Sequence, residues 1–90
     1  MGGINRRVIV SIALGMLDDR NNPTRDDMKK AAGRTLERLI MYEGVEIEEI
    51  LEALGESFEY EEPLDTKIDK ALWRIFSEIV VQIDKEKRRW

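Results

Sequence analysis

Apolar residues recur at intervals of three and four along the last third of the chain, which is the period of one helix face. This pattern predicts a helix over roughly residues 66–88, about 35 Å long. Its apolar arc is wider than a surface helix requires, so we expect this C-terminal helix to be central and to contact several neighbours. The arc comprises Ile68, Leu72, Trp73, Ile75, Phe76, Ile79, Val80, Val81 and Ile83.

The charges at both ends of this segment suit a helix. Pro63 opposes helix formation upstream, and Asp65 or Thr66 is predicted to cap the first turn. Basic residues follow the last apolar position, where they complement the negative end of the helix dipole.

Three further helices are predicted over roughly residues 4–18, 25–43 and 46–54. In the first, the β-branched run Val8–Val10 also suits a buried strand, but no second convincing strand exists to pair with it, so a helix is preferred. Thr24 and Asp27 resemble a capping pair before the second helix, and Gly44 is placed to end it. The third helix is amphipathic and stops at Gly55.

Two smaller features complete the predicted fold. The small residues Ala31, Ala32 and Gly33 lie together, so another backbone is expected to approach closely there. The irregular acidic link that follows Gly55 carries Phe58 and Tyr60, which are expected to fold over the core. The chain is therefore predicted to be all-α, a single domain over residues 1–90 with four helices around one core.

Composition restricts the chemistry. The chain has no cysteine and no histidine, which removes thiol nucleophiles, disulfides, thiolate metal sites and the usual general base. We therefore predict no enzyme activity, no catalytic or metal-binding residue and no cofactor. A reducing, cytoplasmic location is expected, and the apolar run of the first helix is too short to span a membrane.

The charge distribution is more informative than the net charge of −4. Residues 43–66 carry ten acids and no base, whereas residues 1–42 carry eight bases and five acids. Such a segment repels nucleic acid and attracts basic protein surfaces or divalent cations. The alternative is that the third helix simply has a solvated glutamate face.

Residues 44–57 resemble the opening of a helix-turn-helix, in which a short helix ends in an Ala-Leu-Gly sequence such as Ala53-Leu54-Gly55. The resemblance implies DNA binding by a recognition helix rich in Ser, Thr, Gln and Arg. The corresponding segment, Phe58–Pro63, is instead acidic and would oppose phosphate. A DNA-binding regulator would then depend on the basic tail, Lys85–Trp90.

Paired carboxylates give a second resemblance. Glu48, Glu49 and Glu52 form an E-E-x-x-E set, and Glu62 with Asp65 forms E-x-x-D. This order is similar to the all-helical nucleotide pyrophosphohydrolases of the MazG and dimeric dUTPase type, which implies magnesium ligands and nucleotide hydrolysis. In that family the E-x-x-D lies inside a long helix further downstream, whereas here it crosses Pro63.

The preferred interpretation is a small acidic, non-catalytic protein-binding or regulatory module. It is expected to dock on another protein or on its own copy, through the acidic face or through surplus apolar surface on the last helix. The predicted partner-binding residues are Glu48, Glu49, Glu52, Glu59, Glu61, Glu62, Trp73, Val81 and Trp90.

Overall fold

A computed structural model describes residues 3–88 of the chain. Its helices are α1 (Arg6–Gly15), α2 (Arg25–Glu37), α3 (Ile47–Leu54) and α4 (Leu64–Lys87), and a π-helical turn (Arg38–Tyr42) extends α2. No strand occurs within residues 3–88, so the predicted all-α class with four helices is confirmed. Among the helices of that range, none has both the length and the apolar character needed to cross a membrane.

The β-branched run Val8–Val10 lies within α1, which confirms a helix in this segment. The Asn5 side chain caps the helix by accepting a hydrogen bond from the Val8 amide at 2.9 Å. Ile9 and Ala13 lie four residues apart and are fully buried, so they define the inner face. The helix is shorter than the predicted range 4–18, because it begins after Asn5 and ends at Gly15.

The predicted cap of α2 is present as a reciprocal pair of hydrogen bonds. The Thr24 hydroxyl accepts from the Asp27 amide at 3.1 Å, and the Asp27 carboxylate accepts from the Thr24 amide at 3.0 Å. The last turn of the predicted helix 25–43 is wider than an α-helix, since the Glu43 amide bonds the Arg38 carbonyl five residues back. Gly44 then ends the segment with φ of 69°, a conformation that glycine adopts at little cost.

The small residues in the middle of α2 differ in how closely other elements pack against them. Ala31 and Ala32 are buried in the core. No heavy atom of another element lies within 4 Å of the position that a Cβ on Gly33 would occupy. The predicted close backbone approach is therefore wrong at Gly33, which lies at the edge of the packed face.

Helix α3 begins one residue later than predicted because Glu46 is its N-cap. The Glu46 amide donates to the Glu49 carboxylate at 3.0 Å, which closes a capping box at this end. Gly55 ends the helix with φ of 74°, as predicted from its position. The inward face consists of Ile47, Ile50, Leu51 and Leu54, all of which are buried.

Helix α4 begins at Leu64, two residues earlier than predicted. Pro63 is the N-cap, and its carbonyl accepts from the amides of Thr66 and Lys67 at 3.1 and 3.2 Å. The prediction that Asp65 or Thr66 caps this helix is wrong. Proline suits the position because a residue that precedes the first turn does not need to donate an amide hydrogen bond within the helix.

Helix α4 contacts α1, α2 and α3, which confirms its predicted central place. Ile75 and Ile79 are almost completely buried where it meets its neighbours. The buried core comprises Ile9, Ala13, Leu14, Ala31, Ala32, Leu36, Leu39, Ile47, Ile50, Leu51, Leu54, Ala71, Ile75, Phe76, Ile79 and Ile83. Every helix contributes to this one core, and the opposite side of α4 faces solvent.

Candidate functional site

A buried lysine of α4 holds the acidic link, residues 56–63, against the domain. The Lys67 side chain is only 5% exposed, and its Nζ donates to Glu48 Oε2 at 2.8 Å and to the Tyr60 carbonyl oxygen at 2.9 Å. The same Nζ lies 5.8 Å from the Phe58 ring centre and 5.6 Å from the Tyr60 ring centre, within cation–π range. A buried ammonium needs such partners to offset its lost hydration, so this contact fastens the link to both α3 and α4.

Two more basic residues on the same side of α4 bind the ends of the link. Lys70 Nζ lies 2.8 and 2.9 Å from the two carboxylate oxygens of Glu62, and it donates to the Ser57 carbonyl oxygen at 3.2 Å. Arg74 lies 3.6 Å from Glu56. The acidic link is therefore bound to the central helix at several points along its length.

These contacts change the acidity of the carboxyl groups. The hydrogen bond from Lys67 lowers the pKa of Glu48 below its ordinary value. The hydrogen bond from Lys70 likewise lowers the pKa of Glu62, and the amide of Glu59 adds to the effect. Both carboxylates are therefore held in the charged form that their lysine partners require.

The six predicted partner-binding carboxylates separate into two groups. Glu48 and Glu62 bind lysines, and the Glu49 carboxylate accepts the Glu46 amide, so these three stabilise the fold. The other three, Glu52, Glu59 and Glu61, are exposed and form no side-chain ion pair with another residue of the range 3–88. Sequence reasoning treated the set as one surface because the lysine partners lie 19 and 8 residues away along the chain.

The aromatic residues of the link have different surroundings. Phe58 packs against the core, as predicted. Tyr60 is 70% exposed and does not pack on the core, so the prediction that it folds over the core is wrong. Its ring meets Phe58 edge-on at a centroid distance of 5.3 Å. The main chain of Tyr60, rather than its ring, is anchored, because its carbonyl oxygen accepts a hydrogen bond from Lys67.

The carboxylates of the pyrophosphohydrolase-like pattern do not meet at one point. Within residues 3–88, no three acidic side chains are grouped closely enough to hold a metal ion. Glu49 and Glu52 line a shallow depression with Gly3, Ile4 and Ala53, and Asp65 does not contribute to it. The segment that would be the recognition helix of a helix-turn-helix is the bound, irregular link.

The solvent side of α4 carries an apolar surface, which we call the α4 strip and define as Trp73, Val80 and Val81. These side chains belong to residues that are 66%, 37% and 50% exposed. Trp73 stacks on the buried Phe76 with ring centres 5.6 Å apart. This contact with the core fixes the orientation of the Trp73 ring. The strip is thus a preformed apolar ridge, held by the core rather than by flexible side chains.

A groove of about 440 Å³ runs beside Trp73, between α2 and α4. It is lined by Lys29 and Ala32 of α2 and by Asp69, Leu72, Trp73 and Phe76 of α4. Its floor is apolar, and one base and one acid stand at its rim. Such a groove is suited to receiving an apolar side chain of a partner.

The structure places two of the three predicted apolar contact residues, Trp73 and Val81, on this exposed surface. Trp90 lies outside the described residues. Val80, which the sequence did not single out from the rest of the apolar arc, is exposed as well. Its position seven residues after Trp73 places it on the same side of the helix and is the signal that would have found it.

A second exposed apolar pair, Met41 and Tyr42, lies in the π-helical turn that follows α2. Sequence reasoning did not single out these residues. Tyr42 borders a shallow depression with Met16, Arg34, Glu37 and Arg38. Tyr42 lies on a different element from the α4 strip. A substitution at Tyr42 can therefore serve as the control for a substitution in the α4 strip.

No protein-family model, curated protein or solved structure matches this chain. Function is therefore inferred from the surfaces of the molecule alone.

Proposed function

We propose that the protein is a small, non-catalytic binding module that docks on another protein chain through the α4 strip and the adjoining groove. The observation that carries this proposal is the exposure of Trp73 on the central helix, where it is supported by Phe76 and borders an open apolar groove. Aromatic side chains beside such pockets are the usual centres of binding energy in protein interfaces.

The unpaired acids of the link and α3 supply the polar part of the proposed surface. Glu52, Glu59 and Glu61 remain available to attract basic side chains of a partner, since charge acts mainly on the rate of association and on specificity. Glu48, Glu49 and Glu62 contribute indirectly by fixing the link in place. A cytoplasmic setting and a protein rather than a nucleic-acid partner agree with the absence of cysteine and with the acidic middle segment.

Site-specific crosslinking tests this proposal. Val81 is replaced by a photo-reactive amino acid, the protein is produced in its source cells, and the captured chain is identified by mass spectrometry. The matched control places the same probe at Tyr42, which is also exposed but lies on the π-helical turn. A second control carries Trp73→Ser together with the probe at position 81.

The proposal predicts one discrete adduct from position 81, little from position 42, and loss of the adduct with Trp73→Ser. Equal capture from both positions, or an adduct unaffected by Trp73→Ser, would show that the α4 strip is not a docking surface.

A further inference from the structure

Four charged residues of α4 have no ion-pair partner among residues 3–88, and these are Asp65, Asp69, Lys85 and Lys87. The neighbouring charges on α4 are satisfied within the domain: Lys67 by Glu48, Lys70 by Glu62, Arg74 by Glu56 and Glu78, and Arg88 by Asp84. The unpaired acids lie in the first two turns, and the unpaired bases lie at the end. The α4 strip stands between them.

We infer that the partner of the α4 strip is a second copy of this chain, packed with its α4 antiparallel to the first about a twofold axis near Ser77. This inference rests on the proposed function and names its partner. A twofold interface brings each residue of the patch against a different residue of the same patch, so the patch must complement itself when reversed.

The positions along α4 meet that condition. Trp73 and Val81 lie four residues before and after Ser77, about 6 Å from it along the helix. Asp69 and Lys85 lie eight residues before and after it, about 12 Å away. The twofold axis therefore brings Trp73 level with Val81 of the second copy. Asp69 and Lys85 also reach the same level but lie on opposite flanks of the contact, because they are about 160° apart around the helix.

Lys87 lies five full turns after Asp69, on the same flank of α4, so the twofold axis brings Lys87 of one copy to within about 3 Å of the level of Asp69 and of Asp65 in the other. Opposite charges at matching levels attract across the interface without direct contact, because the screening length is about 10 Å at 0.1 M salt. A parallel pairing would instead bring acids against acids and bases against bases. The charge order along α4 thus favours the antiparallel arrangement.

Ser77 suits the centre of such a contact. Its side chain is small, which lets two helices approach closely, and its hydroxyl already donates to the Trp73 carbonyl oxygen at 2.9 Å. No polar group at the centre is therefore left needing a partner from the second copy. The exposed helix face, roughly 36 Å long and 10 Å wide, offers about 360 Å² per copy, less than the roughly 800 Å² of a standard interface. The contact is therefore expected to be weak and transient.

The first measurement is the mass of the purified chain by light scattering on a sizing column from roughly 1 μM to 500 μM, a range in which a weak dimer forms as the concentration rises. The mass should rise from that of one 10.5 kDa chain towards that of two. Trp73→Ser should keep the mass at that of a monomer, and Tyr42→Ser should leave the dimer intact. Circular dichroism checks that each variant stays helical.

Charge exchange then tests the orientation. D65K/D69K and K85E/K87E should each weaken the dimer about tenfold or more, since each replaces attraction with repulsion. The fourfold variant D65K/D69K/K85E/K87E restores opposite charges at every level of an antiparallel pair and should recover the dimer. D18K/E37K is the control, because it changes the net charge as D65K/D69K does but at exposed positions outside α4 and outside the proposed docking surface.

The outcomes are distinguishable. A monomer at every concentration overturns the second-copy inference, and the docking proposal then survives only if the probe at Val81 captures a different chain. A dimer that Trp73→Ser leaves intact overturns the choice of surface. A dimer that the fourfold variant fails to restore overturns the antiparallel arrangement. Recovery by the fourfold variant, with D18K/E37K unchanged, supports it.

Discussion

Replacing Lys67 by alanine tests whether the buried lysine holds the acidic link to the domain. The substitution removes the ammonium that donates to the Tyr60 carbonyl oxygen and binds the Glu48 carboxylate. It also removes an aliphatic stem that is buried with the rest of the side chain. The expected result is a large loss of stability with little change in helix content, because the link itself is irregular.

The magnitude follows from three contributions. Loss of three buried methylene groups costs about 2.4 kcal/mol. An unsatisfied carbonyl costs about 1–3 kcal/mol more. The ammonium no longer has to be desolvated on folding, and this offsets part of the loss in unfolding free energy. A net loss of about 3 kcal/mol is therefore expected, and for a domain of this size that corresponds to a fall of roughly 12–24 °C in Tm.

Urea unfolding followed by circular dichroism measures the loss. Lys67→Met is the matched variant, because it keeps most of the stem and removes the charge, and it should cost about 1 kcal/mol. Glu48→Gln leaves the buried ammonium without its carboxylate, so the double variant Glu48→Gln/Lys67→Met should be more stable than Glu48→Gln alone. A loss below about 1 kcal/mol for Lys67→Ala, or a double variant less stable than Glu48→Gln, would refute this account of the contact.

Three further predictions concern pH, capping and glycine. Because the pKa values of Glu48 and Glu62 are lowered in the fold, their stabilisation is complete above the ordinary value of 4.5 and is lost as the pH falls through their lowered values. Acid titration of the unfolding free energy should show this loss. Thr24→Ala removes the cap of α2 and should cost about 1 kcal/mol in urea unfolding. Gly33→Ala should raise the unfolding free energy by about 0.5–1 kcal/mol, since Gly33 is helical with open space around it. Gly44→Ala should lower that free energy by about 1 kcal/mol, since φ at Gly44 is 69°.

Controls separate these effects from general damage. A double variant with glutamine at Glu48 and Glu62 should reduce the loss of unfolding free energy at acid pH (the acid limb of the titration). The loss that remains is assigned to Asp27, because the hydrogen bond from the Thr24 amide lowers its pKa. Thr24→Ser should retain most of the capping energy because its hydroxyl can accept the same hydrogen bond. Gly44→Asn should be milder than Gly44→Ala because asparagine tolerates the left-handed region. An unchanged acid limb, or equal effects of alanine at Gly33 and Gly44, would contradict the reasoning.

Much of the fold was predictable from the sequence because it depends on residues close together in the chain. The capping box of Thr24 and Asp27 spans three residues, and the burial of Ile75, Ile79 and Ile83 follows from a four-residue interval. The stop at Gly55 follows from the conformational freedom of one residue. Helix ends were less well predicted, since Pro63, rather than Asp65 or Thr66, precedes the first turn of α4.

The candidate surface was predicted in part. Trp73 and Val81 were recognised as surplus apolar residues, but Val80 was not. The exposed sector of a central helix depends on where its three neighbours lie, and the apolar pattern of α4 covers too wide an arc to show it. The groove beside Trp73 likewise requires α2 and α4 to be side by side.

The sequence by itself determined the all-α class, the four helices, the cap of α2, the glycine stops at Gly44 and Gly55 and the absence of histidine and cysteine chemistry. Tertiary structure alone decided which acids are bound and which are available. Glu48 and Lys67 are 19 residues apart and meet only when α3 packs on α4. Local patterns are set by backbone geometry over one helical turn, whereas the pairing of buried charges depends on which distant side chains the packed core brings within hydrogen-bond distance.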